Sequence, residues 1–273
     1  MHYAEFPPWP TLASLIDRVW TLTGGAGDLS TSVQPVLPDG RPELVMHFGE
    51  PFERMSVNGL VSKQAATLFA GQLTEQLTLK PTGAVAVLGV RFHPHGAWPL
   101  FRVPQHEVTG LTLDLEDVSP ELSRALRAVR DQTHDVHMAV PLVQGVLERR
   151  IADLRFDRRV EVATRTIFDT DGAVSIDALA ESVALTRRHL ERLFLDAVGL
   201  PPKRLARIAR FQKAVRMLAE IDPLRRGAVT AAQCGYADQA HFIRDFRQLA
   251  GCSPSEHVLK HGELTRFFVD GIS

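Results

Sequence analysis

Basic side chains are concentrated in one stretch of the sequence, between Arg187 and Arg216. This stretch contains nine Lys and Arg residues and two acidic residues, Glu191 and Asp196. Such a concentration of positive charge is what a polyanion-binding surface requires, although the solvated face of a helix can have the same composition. The wider segment 155–262 carries 18 basic and 13 acidic residues, and the rest of the chain carries 13 and 19. The net charge of −1 therefore conceals a basic C-terminal part.

The candidate metal ligands in the sequence are a His-x-His pair and the two cysteines. His93 and His95 could begin a metal site, because alternate residues of a strand project to the same face. His47 is the obvious third donor. Cys234 and Cys252 are too few for a four-thiolate zinc site, and a reducing compartment would keep both as thiols. We interpret both cysteines as small buried apolar groups.

The elements that would position the basic residues are two helix pairs about fifty residues apart. Apolar residues at helical spacing run through 176–183 and 190–194 in the first pair, and Thr186 is a candidate N-cap. In the second pair Asp238 is the candidate N-cap, and Phe242 and Phe246 are expected to face inward. Because the apolar positions face the core, several of the polar residues between them must project outward. Short helices joined by tight turns are the form of helix-turn-helix units.

The N-terminal part has a different pattern. From Thr31 to about Val108, short apolar and β-branched runs alternate with Pro and Gly turns, which is typical of a sandwich or barrel. After about Glu121 the spacing becomes helical, and Pro141 suits a first helical turn. This predicts a helix over 135–155 that connects two domains, with an apolar stripe that could pack on either domain or on a second chain.

The segment from Ser175 to Val258 resembles the AraC/XylS family of transcription regulators. The resemblance is carried by LAESVALTRRHLERLFLDAVGLPPKRLARIARFQKAV and CGYADQAHFIRDFRQLAGCSP, in which turn glycines, core aromatics and a closing Gly-x-Ser-Pro follow the family's order. It implies two helix-turn-helix subdomains joined by one long helix from Lys203 to about Glu220. Two departures are Thr230, where the family usually has Ile or Val, and the lack of an Arg after Ser-Pro, where Lys260 is the nearest substitute.

The same resemblance, carried over position by position, implies DNA contacts. The base-facing residues would be Arg188 and Arg192 on the first recognition helix, and Gln239, His241 and Arg244 on the second. Arginine can donate two hydrogen bonds to guanine, and glutamine can pair similarly with adenine. Arg187, Lys203 and Arg204 are expected to contact phosphates instead.

Three N-terminal phrases, VLPDGRPELVMHFGEPF, GQLTEQLTLKPTG and GVRFHPHGA, resemble a regulatory domain that is fused to this module. The resemblance implies a cupin-like β-barrel with no settled ligand. We predict that this barrel holds a small-molecule effector, with the candidate lining residues Arg41, His47, Arg91, His93, His95 and Trp98. Salt bridges and core packing explain Arg41, Arg91 and Trp98 equally well. No metal or other cofactor is expected, because a cupin site would continue with a Glu and a further His.

These observations predict an α+β multidomain chain. Its parts are a β-rich regulatory domain over 1–134, a linker helix over 135–155, a double helix-turn-helix domain over 156–262 and a tail over 263–273. The expected function is sequence-specific DNA binding that regulates transcription, without enzyme activity. Expected partners are double-stranded DNA, an effector, RNA polymerase if the protein is an activator, and a second copy of the chain.

Two alternatives remain open from the sequence. In the first, the N-terminal domain serves only self-association or partner contact; in the second, which is remote, a metal-bearing barrel is an enzyme. No apolar run approaches the roughly 18 residues of a membrane span, and the start of the sequence lacks the pattern of a signal peptide. We therefore expect a cytoplasmic protein.

Overall fold

The structure is a computed structural model that describes residues 1–25, 33–55, 59–151, 157–220 and 231–259. The sequence departures at Thr230 and Lys260 and the predicted tail lie outside these residues.

The N-terminal part consists mainly of strands that pair in antiparallel fashion. In the described residues the strands are β1 His2–Phe6, β2 Ile16–Gly24, β3 Gln34–Val36, β4 Glu43–His47, β5 Glu53–Met55, β6 Val61–Lys63, β7 Thr67–Ala70, β8 Leu77–Lys80, β9 Val85–Phe92 and β10 Thr112–Asp114. One sheet has the order β1-β2-β9-β4-β7-β10, and the other has the order β3-β8-β5-β6.

Five helices accompany these strands. They are α1 Ala97–Phe101, α2 Gln105–Val108, α3 Leu115–Val118, α4 Pro120–Gln132 and α5 Val136–Ile151. Helix α5 begins within one residue of the predicted start, and Pro141 lies inside it and not in its first turn. The reason is Asp135, whose carboxylate accepts a hydrogen bond from the backbone N–H of His137 and thereby caps the helix.

Helix α5 belongs to the N-terminal domain and is not an isolated spacer. Its Val143 and Leu147 are fully buried in one apolar core with Leu44 and Met46 of β4. Alternate residues of a strand face opposite sides of the sheet. Strand β4 therefore directs Leu44 and Met46 toward the helices and leaves Glu43, Val45 and His47 for the other face of the sheet.

The predicted cupin-like domain is observed as two antiparallel sheets, and no closed barrel is found, since among the described residues no strand pairing joins the two sheets. Strands β3, β5 and β6 have three residues each, which is about 10 Å of strand. Strands this short cannot tilt across a cylinder and continue the hydrogen bonding around it. The domain is a two-sheet sandwich with helices on the outer face of the larger sheet.

The C-terminal part is helical. Its described helices are α6 Arg158–Asp169, α7 Ile176–Ser182, α8 Arg187–Ala197, α9 Pro202–Glu220, α10 Gln239–Ala250 and α11 Pro254–Leu259. The side chains of Asp157, Ser175, Thr186 and Asp238 accept backbone N–H hydrogen bonds at the starts of four of them. Leu179, Leu190, Phe194, Phe211 and Phe246 are fully buried in their common core.

The predicted second helix pair requires a first helix ahead of α10, in the segment 227–235. Residues 227–230 lie outside the described chain, and residues 231–235 form turns. The backbone N–H of Tyr236 donates to the Ala231 carbonyl at 2.8 Å, that of Gly235 donates to the Ala232 carbonyl at 3.0 Å, and Gly235 has a φ of 76°, which is the pattern that closes the last turn of a helix. Among the described residues, no helix is both long enough and apolar enough to cross a membrane.

Candidate nucleic-acid interface and interior cavity

Helix α8 presents one basic face to solvent. Thr186 caps its first turn, and Leu190, Phe194 and Ala197 face the core. Arg188 and Arg192 are exposed on the opposite side, as residues four apart on a helix lie on the same face. Both guanidinium groups project without an ion pair or hydrogen bond to any described residue. They are therefore available to an external ligand.

Helix α10 is constructed in the same way. Asp238 caps it, and the backbone N–H of His241 donates to the Asp238 carboxylate at 2.7 Å. Phe242 and Phe246 are buried beneath it, while Arg244 is exposed. Arg244 thus occupies in α10 the place that Arg192 occupies in α8.

The correspondence between the two helices is an offset of 52 positions. The matched pairs are Thr186 with Asp238 at the caps, Phe194 with Phe246 in the core, and Gly199 with Gly251 at the ends, both with positive φ. The same offset matches Arg188 with Ala240 and Leu195 with Arg247. Leu195 and Arg247 are exposed beside Arg192 and Arg244. Sequence reasoning missed these two positions, although the offset was already visible in the sequence.

Gln239 and His241 are less free than predicted. The side-chain oxygen of Gln239 accepts a hydrogen bond from the Ala231 backbone N–H at 3.3 Å. The His241 Nε2 atom lies 3.6 Å from a carboxylate oxygen of the buried Asp245, and its ring packs edge-on against Tyr236. Both residues flank the exposed face of α10 and are partly engaged within the protein.

The basic residues of the 187–216 stretch divide into two groups. Arg187, Arg207, Arg210, Lys213 and Arg216 are held by carboxylates or backbone carbonyls of the protein itself. Lys203 and Arg204 are exposed in the first turn of α9, where the helix dipole also favours an anion. About half of the charge counted in the sequence is therefore structural, and the remainder lies on the exposed surface of the two units.

The two sheets of the N-terminal domain enclose a cavity. Its enclosed volume is about 80 Å³, which is several times the space that one water molecule occupies. The lining is mostly apolar, with Trp20, Val45, Phe52, Leu68 and Leu79 among its members. Gly89 allows the indole of Trp20 to lie across β9, since a Cβ atom there would approach the indole to 2.0 Å.

The charged residues at this cavity are paired with one another. Arg91 is 4% exposed and lies 2.8 Å from Glu43 and 3.3 Å from Asp39, and Arg41 lies 3.0 Å from Asp17. Burial lowers the pKa of Arg91, but the two carboxylates outweigh burial and hold it above its ordinary value. Burial raises the pKa of Glu43, and the neighbouring Arg91 only partly offsets this.

His47 is the one ionisable residue of the described cavity lining without an ion-pair partner. Burial lowers the pKa of its ring to about 4, so that the ring is neutral at pH 7. Its Nε2 atom lies 3.2 Å from the side-chain oxygen of Gln64. Within the described part of the chain, the buried Nδ1 atom has no hydrogen-bond partner.

The remaining effector candidates lie elsewhere. His93 and His95 line a separate, more polar cleft between the sandwich and α6, with their rings stacked at a centroid distance of 6.0 Å. The His95 Nδ1 atom lies 3.2 Å from the Thr164 hydroxyl of α6. Trp98 lines neither space and packs against the core of the C-terminal helices. Among the described residues, no group of three or more His, Cys, Asp or Glu side chains could hold a metal ion.

Both cysteines were expected to be buried, and the structure buries only one of them completely. Cys234 is fully buried in the C-terminal core, and burial raises the pKa of its thiol. Cys252 is half-buried. A raised pKa keeps the Cys234 thiol protonated and unreactive.

Residues 37–41, which we call the bridging segment, belong to both the cavity and the C-terminal core. Leu37 lines the cavity and is buried among the C-terminal helices. Gln212 of α9 donates a hydrogen bond to the Pro38 carbonyl at 2.6 Å. Gly40 adopts a φ of 78°, and a Cβ atom there would lie 2.9 Å from Leu205. The segment is therefore fitted closely against α9.

On the other side, the bridging segment is held by the sandwich. The Gln72 side chain donates to the Gly40 carbonyl at 3.0 Å, and Asp39 pairs with Arg91 inside the cavity. Arg41 also lies over the ring of Phe168 of α6, at 5.2 Å from its centroid. A molecule in the cavity that displaced this segment would therefore also change its contacts with α6 and α9. Helix α9 packs against both α8 and α10.

Comparison with known protein families gives two matches. Residues 4–114 match a family model described as a domain of unknown function, DUF6597. Residues 179–258 match a family model described as a helix-turn-helix domain.

Comparison with individual proteins agrees with this division. Over 86 residues, the chain is 40% identical to the HTH-type transcriptional activator RhaS of Escherichia fergusonii, a match that covers 31% of this chain and 30% of that relative. It is 22% identical over 252 residues to the RCS-specific HTH-type transcriptional activator RclR of Escherichia coli, covering 87% and 88% of the two chains. A solved structure of ToxT from Vibrio cholerae O395 superposes with a TM-score of 0.45 and 9% identity, over 88% of this chain and 97% of that one.

The chain spans less than a third of the length of RhaS. The matched helix-turn-helix segment runs from within α7 to α11, and the matched N-terminal segment coincides with the sandwich up to β10. The chain thus carries an AraC-type helix-turn-helix domain preceded by a DUF6597 domain, and the relatives that it resembles are AraC-family regulators.

Proposed function

We propose that this protein is a sequence-specific DNA-binding transcription regulator that reads two adjacent major-groove segments with α8 and α10. Its 19-residue linking helix α9 is about 28 Å long. Successive major-groove openings on one face of DNA lie about 34 Å apart. One rigid helix of this length suits two readers on the same face of a duplex.

The observation that carries this proposal is the repeated exposed face at an offset of 52 positions. Arg192 and Arg244 have equivalent places on two capped helices, and neither is held by another described residue. Arg188 and Arg247 extend the same two faces. A merely solvated helix face would not require this repetition of cap, core and projecting arginine.

The proposed control of DNA binding is a small-molecule effector in the cavity between the sheets. The bridging segment supports this, because it forms one wall of the cavity and packs against α9. An effector that favours one position of the segment would change operator affinity, and operator DNA would change effector affinity by the same factor. RhaS and RclR are named as activators, so RNA polymerase is the partner we propose if this protein activates transcription.

Selection from a pool of random DNA duplexes by the full-length chain tests the proposal. We expect enrichment of one sequence with two conserved elements, and tighter binding to it than to a scrambled duplex by a factor of about 10³ or more. The double variant Arg192→Ala/Arg244→Ala is the control and should enrich no sequence. Equal affinity of the unmodified chain for selected and scrambled duplexes would contradict the proposal.

A second candidate role for the N-terminal domain is self-association. Leu60 and Val61 are 73% and 52% exposed, and Val61 begins the edge strand β6. An exposed edge strand is a surface on which a second chain can add. Sedimentation of the chain across a range of concentrations tests this role, and Leu60→Lys should shift any dimer toward monomer.

A further inference from the structure

The lining of the interior cavity restricts the charge of its occupant. Arg91 and Arg41 are the two guanidinium groups of the described lining, and both are already paired with carboxylates. A ligand carboxylate would therefore meet Asp39 and Glu43 without an unpaired cation to balance it. Burying such a charge without a partner is strongly unfavourable.

A cationic ligand is disfavoured by the same arrangement. Asp39, Glu43 and Asp17 are engaged by Arg91 and Arg41, so an ammonium group would have to displace an existing ion pair. Breaking a buried pair leaves a charge unpaired and costs several kcal/mol. The remaining lining is apolar over most of its extent. An uncharged and mainly apolar molecule suits this space best.

Two buried polar atoms give the cavity a specific requirement. In the described residues, His47 Nδ1 and the Thr112 hydroxyl oxygen have no hydrogen-bond partner, and both residues line the cavity. A neutral imidazole carries one N–H, and the contact of Nε2 with the Gln64 oxygen assigns that N–H to Nε2. The Nδ1 atom is then an acceptor that needs a donor. A buried polar atom without a partner is normally satisfied by water or by a ligand.

We infer that this cavity binds an uncharged, mainly apolar small molecule that carries a hydroxyl group, which donates a hydrogen bond to His47 Nδ1. The inference rests on the proposed function, in which this cavity holds the effector. The strand register places Thr112 level with Ala70 and Glu43, four residues along β4 from His47, so its hydroxyl does not share this hydrogen bond. The bulk of the molecule lies against Trp20, Phe52 and the aliphatic residues of the two sheets.

A matched series of four naphthalene derivatives tests the inference. These are 2-naphthylmethanol, 2-methylnaphthalene, 2-naphthoate and 2-naphthylmethylammonium, which share one ring system and differ in the substituent. Their affinities for the full-length chain at pH 7 are measured by equilibrium dialysis without DNA. We expect the alcohol to bind roughly 3- to 10-fold more tightly than the hydrocarbon, which is the effect of one net hydrogen bond. Both ions should bind at least about tenfold more weakly than the alcohol.

His47→Phe keeps an aromatic ring and removes the acceptor, so the advantage of the alcohol over the hydrocarbon should disappear. Thr112→Val is the matched isosteric control and should retain most of that advantage. The comparison of the four compounds uses the unmodified chain and therefore stands even if His47→Phe does not fold.

Preference for the carboxylate or the ammonium ion, equal binding of alcohol and hydrocarbon, or no binding by any of the four would overturn the inference. The proposed function is tested separately, because its failure would appear in the DNA-binding experiment and not in the ligand measurements. A chain that prefers the alcohol but enriches no DNA sequence contradicts the proposed function alone. A chain that selects DNA but prefers 2-naphthoate contradicts the ligand class alone.

Discussion

The polar residues of α10 differ in how available their side chains are to contact DNA. Arg247 is exposed on the same face as Arg244, whereas Gln239 already accepts a hydrogen bond within the protein. Arg247→Ala should therefore weaken binding to a selected operator by about 1–3 kcal/mol if it reads a base. Gln239→Ala should have a smaller effect. Titration of operator DNA with each variant measures both, with Arg127→Ala in the N-terminal domain as the control. An unchanged affinity for Arg247→Ala would remove this residue from the proposed interface.

The buried neutral His47 predicts a pH dependence of stability. Its folded pKa of about 4 lies below the ordinary value of about 6.5, so the unfolded chain takes up a proton that the folded chain does not. Stability should fall as the pH is lowered from about 6.5 toward 4, by on the order of 1–2 kcal/mol from this residue at pH 5. His47→Asn cannot titrate, so urea unfolding at pH 7 and pH 5 should show a smaller loss for the variant. An equal loss in both proteins would contradict the lowered pKa.

The sequence predicted some residue roles and not others, for a physical reason. The exposure of Arg188, Arg192 and Arg244 follows from helical periodicity, which is local. The internal pairing of Arg216 and Lys213 with Asp171 depends on the packing of α9 against the end of α6, which no local pattern reveals. For the same reason, the separation of His47 from His93 and His95 into different spaces could not be predicted.

At the level of elements, the bridging segment predicts a way to uncouple the two domains. Gln212→Ala removes the hydrogen bond to the Pro38 carbonyl and leaves that buried carbonyl without its donor, which costs about 1–3 kcal/mol. We expect the affinity for 2-naphthylmethanol to change by less than about twofold, since Gln212 does not line the cavity. The effect of the alcohol on operator affinity should become smaller. Gln132→Ala, at an exposed position of α4, is the matched control.

Binding titrations with operator DNA, with and without 2-naphthylmethanol, measure this coupling. Full retention of the coupling in Gln212→Ala would show that the signal does not pass through this contact. A loss of coupling in Gln132→Ala as well would show that the effect is not specific to the bridging segment.

Elements with strong local signals were predicted well, and elements set by long-range closure were not. Thr186 and Asp238 cap α8 and α10 as expected, because capping needs only neighbouring residues. That the two sheets do not close into a barrel could not be predicted, because closure depends on whether distant short strands such as β3 and β6 can pair. The sequence also did not reveal that residues 37–41 would pack into a core of the other domain.

For the whole molecule, the exposed basic residues predict the salt dependence of DNA binding. Lys203 and Arg204 are free in the first turn of α9, and each phosphate neutralised adds about 0.9 to the negative slope of log affinity against log salt. Lys203→Ala/Arg204→Ala should lower the magnitude of this slope by about 1.8 and weaken all duplex sequences equally. Affinities over a range of salt concentrations check this expectation. An unchanged slope would assign the phosphate contacts to other residues.

The central claim is that one chain reads two separate DNA elements, and its most direct test is the base preference of two single variants of the full-length protein. Operators randomised one element at a time are bound to Arg192→Ala and to Arg244→Ala, and the base preference at each position is measured. Each variant should lose about 1–3 kcal/mol of discrimination. Arg192→Ala should relax preference in one element only, and Arg244→Ala in another about one helical turn away. Relaxation at the same base pairs in both variants would contradict the account.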